Sequence, residues 1–168
     1  IIEHSRRNGL KVASLTGDCF MQAPFWKADG ETQKSLVADL DLVLTSCATT
    51  GIEFVVIPLV DNGRIESATQ TETLLRVLLD RASALSKQGV RIVFESDLPP
   101  APLAEFIEAF PREVFGINYD SGNSAALGYD SAEEIAAYAP RILNVHVKDR
   151  LLGGTTVPLG TGAADLGK

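Results

Sequence analysis

The chain has 168 residues, 45% of them hydrophobic and 22% charged, a balance that suits one globular domain with a real core. Against 22 Asp and Glu stand only 15 Lys and Arg, a net charge of −7 without the clustered basic footprint of a nucleic-acid binder. No apolar run approaches the length of a membrane span, and Ile1–Arg7 carries no signal-peptide pattern, so neither a membrane nor a secretory route is expected. Cys19 and Cys47 allow at most one bridge, which is no disulfide framework, and a reduced, cytoplasmic protein is expected.

Taken in order, the chain alternates. Ile1–Gly9 reads as the end of a helix, and Leu10–Leu15 as a short strand. Thr32–Thr50 places Leu36, Val37, Leu40, Val43, Leu44 and Cys47 at helical spacing, and Gly51 follows as a stop. Phe54–Val60 is β-branched and continuously apolar, the mark of a strand buried on both faces of a parallel sheet. Thr71–Gln88 is a second amphipathic helix, ended by Gly89, with Arg76, Asp80 and Arg81 on its solvent side. Val90–Glu95 is the third strand, Leu103–Phe110 a helix, and Val114–Tyr119 the fourth strand. Ser131–Tyr138 is a helix with Ser131 as its cap and Glu134 at capping-box spacing. Ile142–Val147 is the fifth strand, and Gly153–Gly167 gives no element. Such alternation predicts an α/β fold with a mainly parallel sheet, either open and doubly wound or part of a (β/α)8 barrel.

In both layouts the ligand site lies at the carboxyl ends of the strands. The third strand ends in Glu95, the fourth runs into Asp120, and the fifth contains His146, spaced about 25 residues apart, one βα unit each. A carboxylate pair with one imidazole suits a divalent ion of the Mn, Co, Zn or Mg kind with positions left for substrate oxygens. The other histidine, His4, lies in the N-terminal segment. Gly153-Gly154 and Gly160-Thr161-Gly162 offer either an anion nest or plain turns. Phe20 and Pro24-Phe25-Trp26 offer either a wall over a ligand or a packed loop, and Asp61 stands on the same rim.

Asn118-Tyr119-Asp120-Ser121-Gly122-Asn123, then Asn144-Val145-His146-Val147-Lys148-Asp149-Arg150, then Val157-Pro158-Leu159-Gly160-Thr161-Gly162, together resemble the sugar phosphate isomerase/epimerase family. This is the xylose-isomerase-like TIM-barrel group, with D-tagatose 3-epimerase, L-ribulose-5-phosphate 3-epimerase, hexulose-6-phosphate isomerase and, more distantly, endonuclease IV. The resemblance implies a divalent metal held by Glu95, Asp120, His146 and a second glutamate. It implies isomerisation or 3-epimerisation of a ketose or sugar phosphate through an enediolate, with Glu95 as both ligand and base. Lys148 and Arg150 fall where substrate contacts are expected, and Asn123 stands where some relatives carry a substrate-contacting histidine.

No glutamate follows His146; the later acids are Asp149 and Asp165. With a barrel of this type needing about 250 residues, residues 1–168 are expected to be a single incomplete domain, about strands two to six, lacking the first and the last two strands. The segment alone is then expected to be inactive, and the resemblance leaves room for a homo-oligomer of a longer protein. Two other readings of the same scaffold are a dehydratase acting on an inositol-type ketone and a binding module without turnover. A nuclease of the endonuclease IV kind, which uses several histidines, fits poorly with one rim histidine and an acidic chain.

Overall fold

The structure, a computed structural model, describes residues 2–167. Five strands form one all-parallel sheet in sequential order: β1 (Ser14–Thr16), β2 (Phe54–Leu59), β3 (Arg91–Ser96), β4 (Phe115–Asp120) and β5 (Ile142–His146). The sheet curls into a half-barrel, part of a (β/α)8 arrangement. Between the strands run α1 (Ile2–Arg7), α2 (Asp18–Gln22), α3 (Gly30–Thr50), α4 (Ala68–Leu79), α5 (Ala82–Gln88), α6 (Pro100–Glu108), α7 (Ser121–Leu127) and α8 (Ser131–Tyr138), with α1 preceding β1. A two-stranded antiparallel ribbon, β6 (Asp149–Arg150) with β7 (Thr156–Val157), follows β5. Among the described residues no helix is long and apolar enough to cross a membrane.

The strand alternation of two divides the sheet into two chemistries. Val55, Ile57, Leu59, Ile92, Phe94, Phe115 and Ile117 pack outward into one core with Leu40 and Leu44 of α3, Leu74 and Leu78 of α4 and α6's Ile107. Phe94 anchors that core against Phe106, Phe110 and Phe115, with ring centroids 5.3, 5.0 and 6.2 Å away. On the opposite, inward face stand Glu95, one residue past Phe94, and Asn118 and Asp120, which flank outward-facing Tyr119. Packing on the outside thus holds the polar inner residues in place.

One irregularity in β5 sets its inward face. Ile117 pairs with Ile142, but Asn118 pairs with Asn144 and Asp120 with His146, so Leu143 is the extra residue of a bulge. Without it Val145 would stand opposite Asp120; with it, Asn144 and His146 join the inward row. Gly116 accommodates the bulge, since a Cβ there would lie 2.5 Å from the Leu143 side chain and 2.7 Å from the Arg141 carbonyl.

Several elements differ from expectation. The strand expected at Leu10–Leu15 begins later: pairing starts where Ala13 accepts from the Glu53 and Phe54 amides, and Leu10 is 65% exposed. The single helix expected over Thr71–Gln88 starts earlier, with Ser67 as its cap, and is broken at Asp80-Arg81. There Arg81 turns to grip both carboxylate oxygens of Asp41 on α3, at 2.6 and 2.8 Å, so it is no free surface residue. The cap of α8 is Asp130, accepting from the Ala132 and Glu133 amides, not Ser131. Glu134 closes no capping box. Its buried carboxylate accepts from the hydroxyls of Tyr138 and Ser124, both at 2.7 Å, and Tyr119 at 3.1 Å, tying α8 and α7 to β4. Burial and the Glu134 charge push Tyr119 up to about 12. Gly51 and Gly89 end α3 and α5 in the left-handed conformation, as their positions predict. Phe20 of α2 and the loop residues Phe25 and Trp26 are buried, with Trp26 Nε1 donating to the Gly63 carbonyl, so this segment is packed into the core.

Candidate metal centre at the carboxyl end of the sheet

Glu95, Asp120 and His146 meet at the carboxyl ends of β3, β4 and β5, each offering a ligand atom within 4.8 Å of the other two. His146 Nδ1 lies 3.1 Å from Glu95 Oε2 and 3.8 Å from Asp120 Oδ2. Two atoms that each sit at about 2.1 Å from a common ion cannot be more than about 4.2 Å apart. Both histidine distances meet that limit, and the hard and borderline donors fit a small divalent cation.

Local structure explains how each ligand is held. Asp120 ends β4 and caps α7: its Oδ1 accepts from the Asn123 amide at 2.8 Å, leaving Oδ2 for the cluster and for Lys148 Nζ at 3.5 Å. The strand runs into the helix without a loop because Gly122 lets the first turn of α7 cross the chain at Lys148. A Cβ there would come within 3.0 Å of the Lys148 backbone. Ser121 Oγ completes the crossing, donating to the Lys148 carbonyl at 2.7 Å and standing 3.0 Å from the Lys148 amide.

Glu95 is held on both oxygens. Asn123 Nδ2 donates to Oε1 at 2.6 Å and Asn118 Nδ2 to Oε2 at 2.8 Å. Burial, and next the negative charge of Asp120, raise its pKa above the usual carboxylate range, against the pull of His146 and Lys148. A carboxylate raised in this way is a stronger base than a solvated one.

A cleft of about 400 Å³ opens over this end of the sheet, within the range of small-ligand sites. Glu95 is the member of the cluster that lines it, together with Asn123, Lys148 and Arg150. Asn123 Oδ1 accepts from Lys148 Nζ at 3.1 Å and from Arg150 Nη1 at 2.9 Å, so one amide links Glu95 to two cations. Arg150 also donates through Nε and Nη2 to the Gly154 carbonyl. Arg64 of the opposite wall pairs with Asp97 at 2.9 Å.

The glycine segments make no anion nest. Gly153 and Gly154 spend their amides on the Ala126 and Leu151 carbonyls. Gly160 and Gly162 donate to Asp149 Oδ2 at 2.9 and 2.8 Å, and Ala164 donates to Oδ1 at 3.0 Å. These backbone donors hold the Asp149 carboxyl below the usual range, and the buried carboxylate moors the whole segment after β6.

Glu95, Asp120, His146, Asn123, Lys148 and Arg150, the six residues expected at the site, all lie at one rim. Asn118 and Asn144 join them unexpectedly. The signal was there: each stands two residues before a cluster residue, on the same face of an otherwise apolar strand. His4 lies in α1, outside the cluster.

No curated protein matches this chain. Among solved structures, a xylose isomerase domain protein from Planctomyces limnophilus is 23% identical, with a TM-score of 0.76 over 99% of this chain and 65% of that one. An IolI protein with a bound zinc atom is 17% identical, with a TM-score of 0.68 over 98% of this chain and 75% of that one. A D-tagatose 3-epimerase-like protein is 17% identical, with a TM-score of 0.73 over 98% of this chain and 66% of that one. The chain thus spans about two-thirds to three-quarters of the length of these structures. A family model matches residues 1–168 throughout, and the chain belongs to the xylose isomerase-like TIM barrel family.

Proposed function

We propose that Glu95, Asp120 and His146 share one divalent metal ion, and that the site serves isomerisation or 3-epimerisation of a ketose or sugar phosphate by proton abstraction beside the carbonyl. The observation that carries this reading is the convergence of three ligand atoms from three successive strands beside a polar cleft. When bound, the ion supplies Lewis acidity to the carbonyl and hydroxyl oxygens of the substrate. Glu95, the member of the cluster facing the cleft, takes the proton. Asn123 holds its Oε1 side, and the Lys148 and Arg150 cations behind that amide favour the enediolate's negative charge. The mixed polar lining suits hydroxyl groups better than an apolar ligand. Zinc in the IolI structure, a relative of the same fold, supports a divalent ion here.

Reprotonation from the other face needs a second acid. Asp149 is committed to three backbone amides, whereas Asp18, Asp61 and Asp97 line the cleft together with Glu95. The test is solvent exchange. A protein containing this chain, incubated in D2O with Mn²⁺ and a panel of ketoses and ketose phosphates, should incorporate deuterium at the carbon beside the carbonyl. Turnover without exchange, or exchange that survives Glu95→Gln, would contradict proton abstraction by Glu95.

A further inference from the structure

We infer that Asn118, aligned by Asn144, is a positioning residue that orients Glu95 toward the ion and favours the His146 tautomer an ion needs; this rests on the metal site proposed above. Asn118 is buried at the floor of the cluster, on the inward face of β4. Its Nδ2 lies 2.8 Å from Glu95 Oε2 and 3.1 Å from His146 Nδ1, and those two atoms are 3.1 Å apart. The three make a nearly equilateral triangle with a single donor group at one corner.

The chemistry of the corners assigns the protons. An amide nitrogen only donates, and a carboxylate oxygen accepts. Nδ2 has two hydrogens, one for Glu95 Oε2 and one for His146 Nδ1. In the tautomer with the imidazole proton on Nε2, Nδ1 carries the lone pair that faces this donor. That lone pair is the one an ion takes, so ion binding exchanges the Asn118 contact to Nδ1 while the bond to Glu95 Oε2, an oxygen with a further lone pair, can persist. The opposite tautomer, with Nδ1 donating to Glu95, would leave no lone pair there for an ion.

Asn144 decides which way the amide points. Directly opposite in the β4–β5 register, it donates from Nδ2 to Asn118 Oδ1 at 2.6 Å. With its oxygen so engaged, Asn118 can turn only its nitrogen to the cluster. Asn144 faces inward beside Asn118 because of the Leu143 bulge, so one backbone irregularity aligns ligand and support together. Outer partners of this kind change metal affinity about 10–100-fold when removed.

The experiment is a Co²⁺ titration of the chain followed by visible absorption, with urea denaturation of each variant in parallel. Asn118→Leu, which removes both donors, should weaken Co²⁺ binding about 10–100-fold and change the shape of the absorption band. Asn144→Asp touches neither ligand. Its new carboxylate should draw Asn118 Nδ2 away and present Oδ1 to Glu95, giving a loss of similar size, whereas Asn144→Ala should cost less. This order, with altered spectra in folded variants, would support the inference. Wild-type affinity and spectrum in Asn118→Leu and Asn144→Asp would overturn it, as would losses that merely track urea midpoints. The failures are separable: if His146→Ala abolishes binding while both asparagine variants keep it, only the positioning role falls. A wild-type chain that takes up no Co²⁺ overturns the metal site as well.

Discussion

Asp120 carries two duties on two oxygens, and substitution separates them. Oδ1 caps α7 through the Asn123 amide, and Oδ2 faces His146 and Lys148. Asp120→Asn keeps a carbonyl oxygen for the cap, while Asp120→Ala removes it. Loss of such a cap costs about 1 kcal/mol, and at this chain length about 2–4 °C in Tm follows from each kcal/mol. The Lys148 ion pair, at 3.5 Å, is lost in both variants and so does not separate them. Both substitutions also relieve the charge that raises the Glu95 pKa, which offsets part of the loss equally in the two. In metal-free buffer, Asp120→Ala should therefore melt about 2–4 °C below Asp120→Asn. With Mn²⁺ at about 100-fold over Kd, binding stabilises the wild type by about 2.7 kcal/mol, or roughly 5–11 °C, and both variants should lose most of that gain. Thermal denaturation by circular dichroism reads all of these values. Equal melting of the two variants without metal would refute the division of labour. A full Mn²⁺-induced rise in Asp120→Asn would refute the ligand role.

Three further expectations test the supports around the cluster. Gly122→Ala places a methyl against the Lys148 backbone, so α7 or the chain at Lys148 must shift; Mn²⁺ affinity should fall along with stability, checked by titration and urea denaturation. Glu134→Ala strands the Tyr119, Tyr138 and Ser124 hydroxyls and should cost about 3 kcal/mol, whereas Glu134→Gln, which keeps one acceptor, should cost less; urea midpoints decide. Asp149 has a folded pKa below its unfolded value, so its contribution is present above the usual carboxylate range and is lost as pH falls through the folded pKa. Asp149→Asn should flatten that acid limb in a stability profile taken from pH 7 downward, and an unchanged limb would count against the mooring role.

The outward face of the fold is legible in the sequence because burial is written as periodicity. Phe54–Val60 is too continuously apolar to be anything but a doubly covered strand, and the leucine spacings of α3 and α4 follow the helical turn. The cluster is legible because strand ends converge in a parallel sheet, which places Glu95, Asp120 and His146 together from connectivity alone. What escapes depends on contacts across the chain. The Leu143 bulge rests on space left by Gly116, and α7 begins without a loop because Gly122 admits Lys148. Glu134 has capping-box spacing but serves three hydroxyls from three segments. The break between α4 and α5 needs Asp41, some 40 residues away, to take Arg81 out of the helix. The glycine-rich tail suggests a phosphate nest until the buried Asp149 is seen to consume its amides.

The measurement that bears most directly on the account is Mn²⁺ binding, followed by electron paramagnetic resonance, to the wild-type chain and to Glu95→Gln and His146→Ala. A shared site predicts one bound ion in the wild type and a clear loss of affinity in each variant, because each removes one ligand of three. Unchanged Mn²⁺ affinity in both variants would contradict the metal centre and the function built upon it.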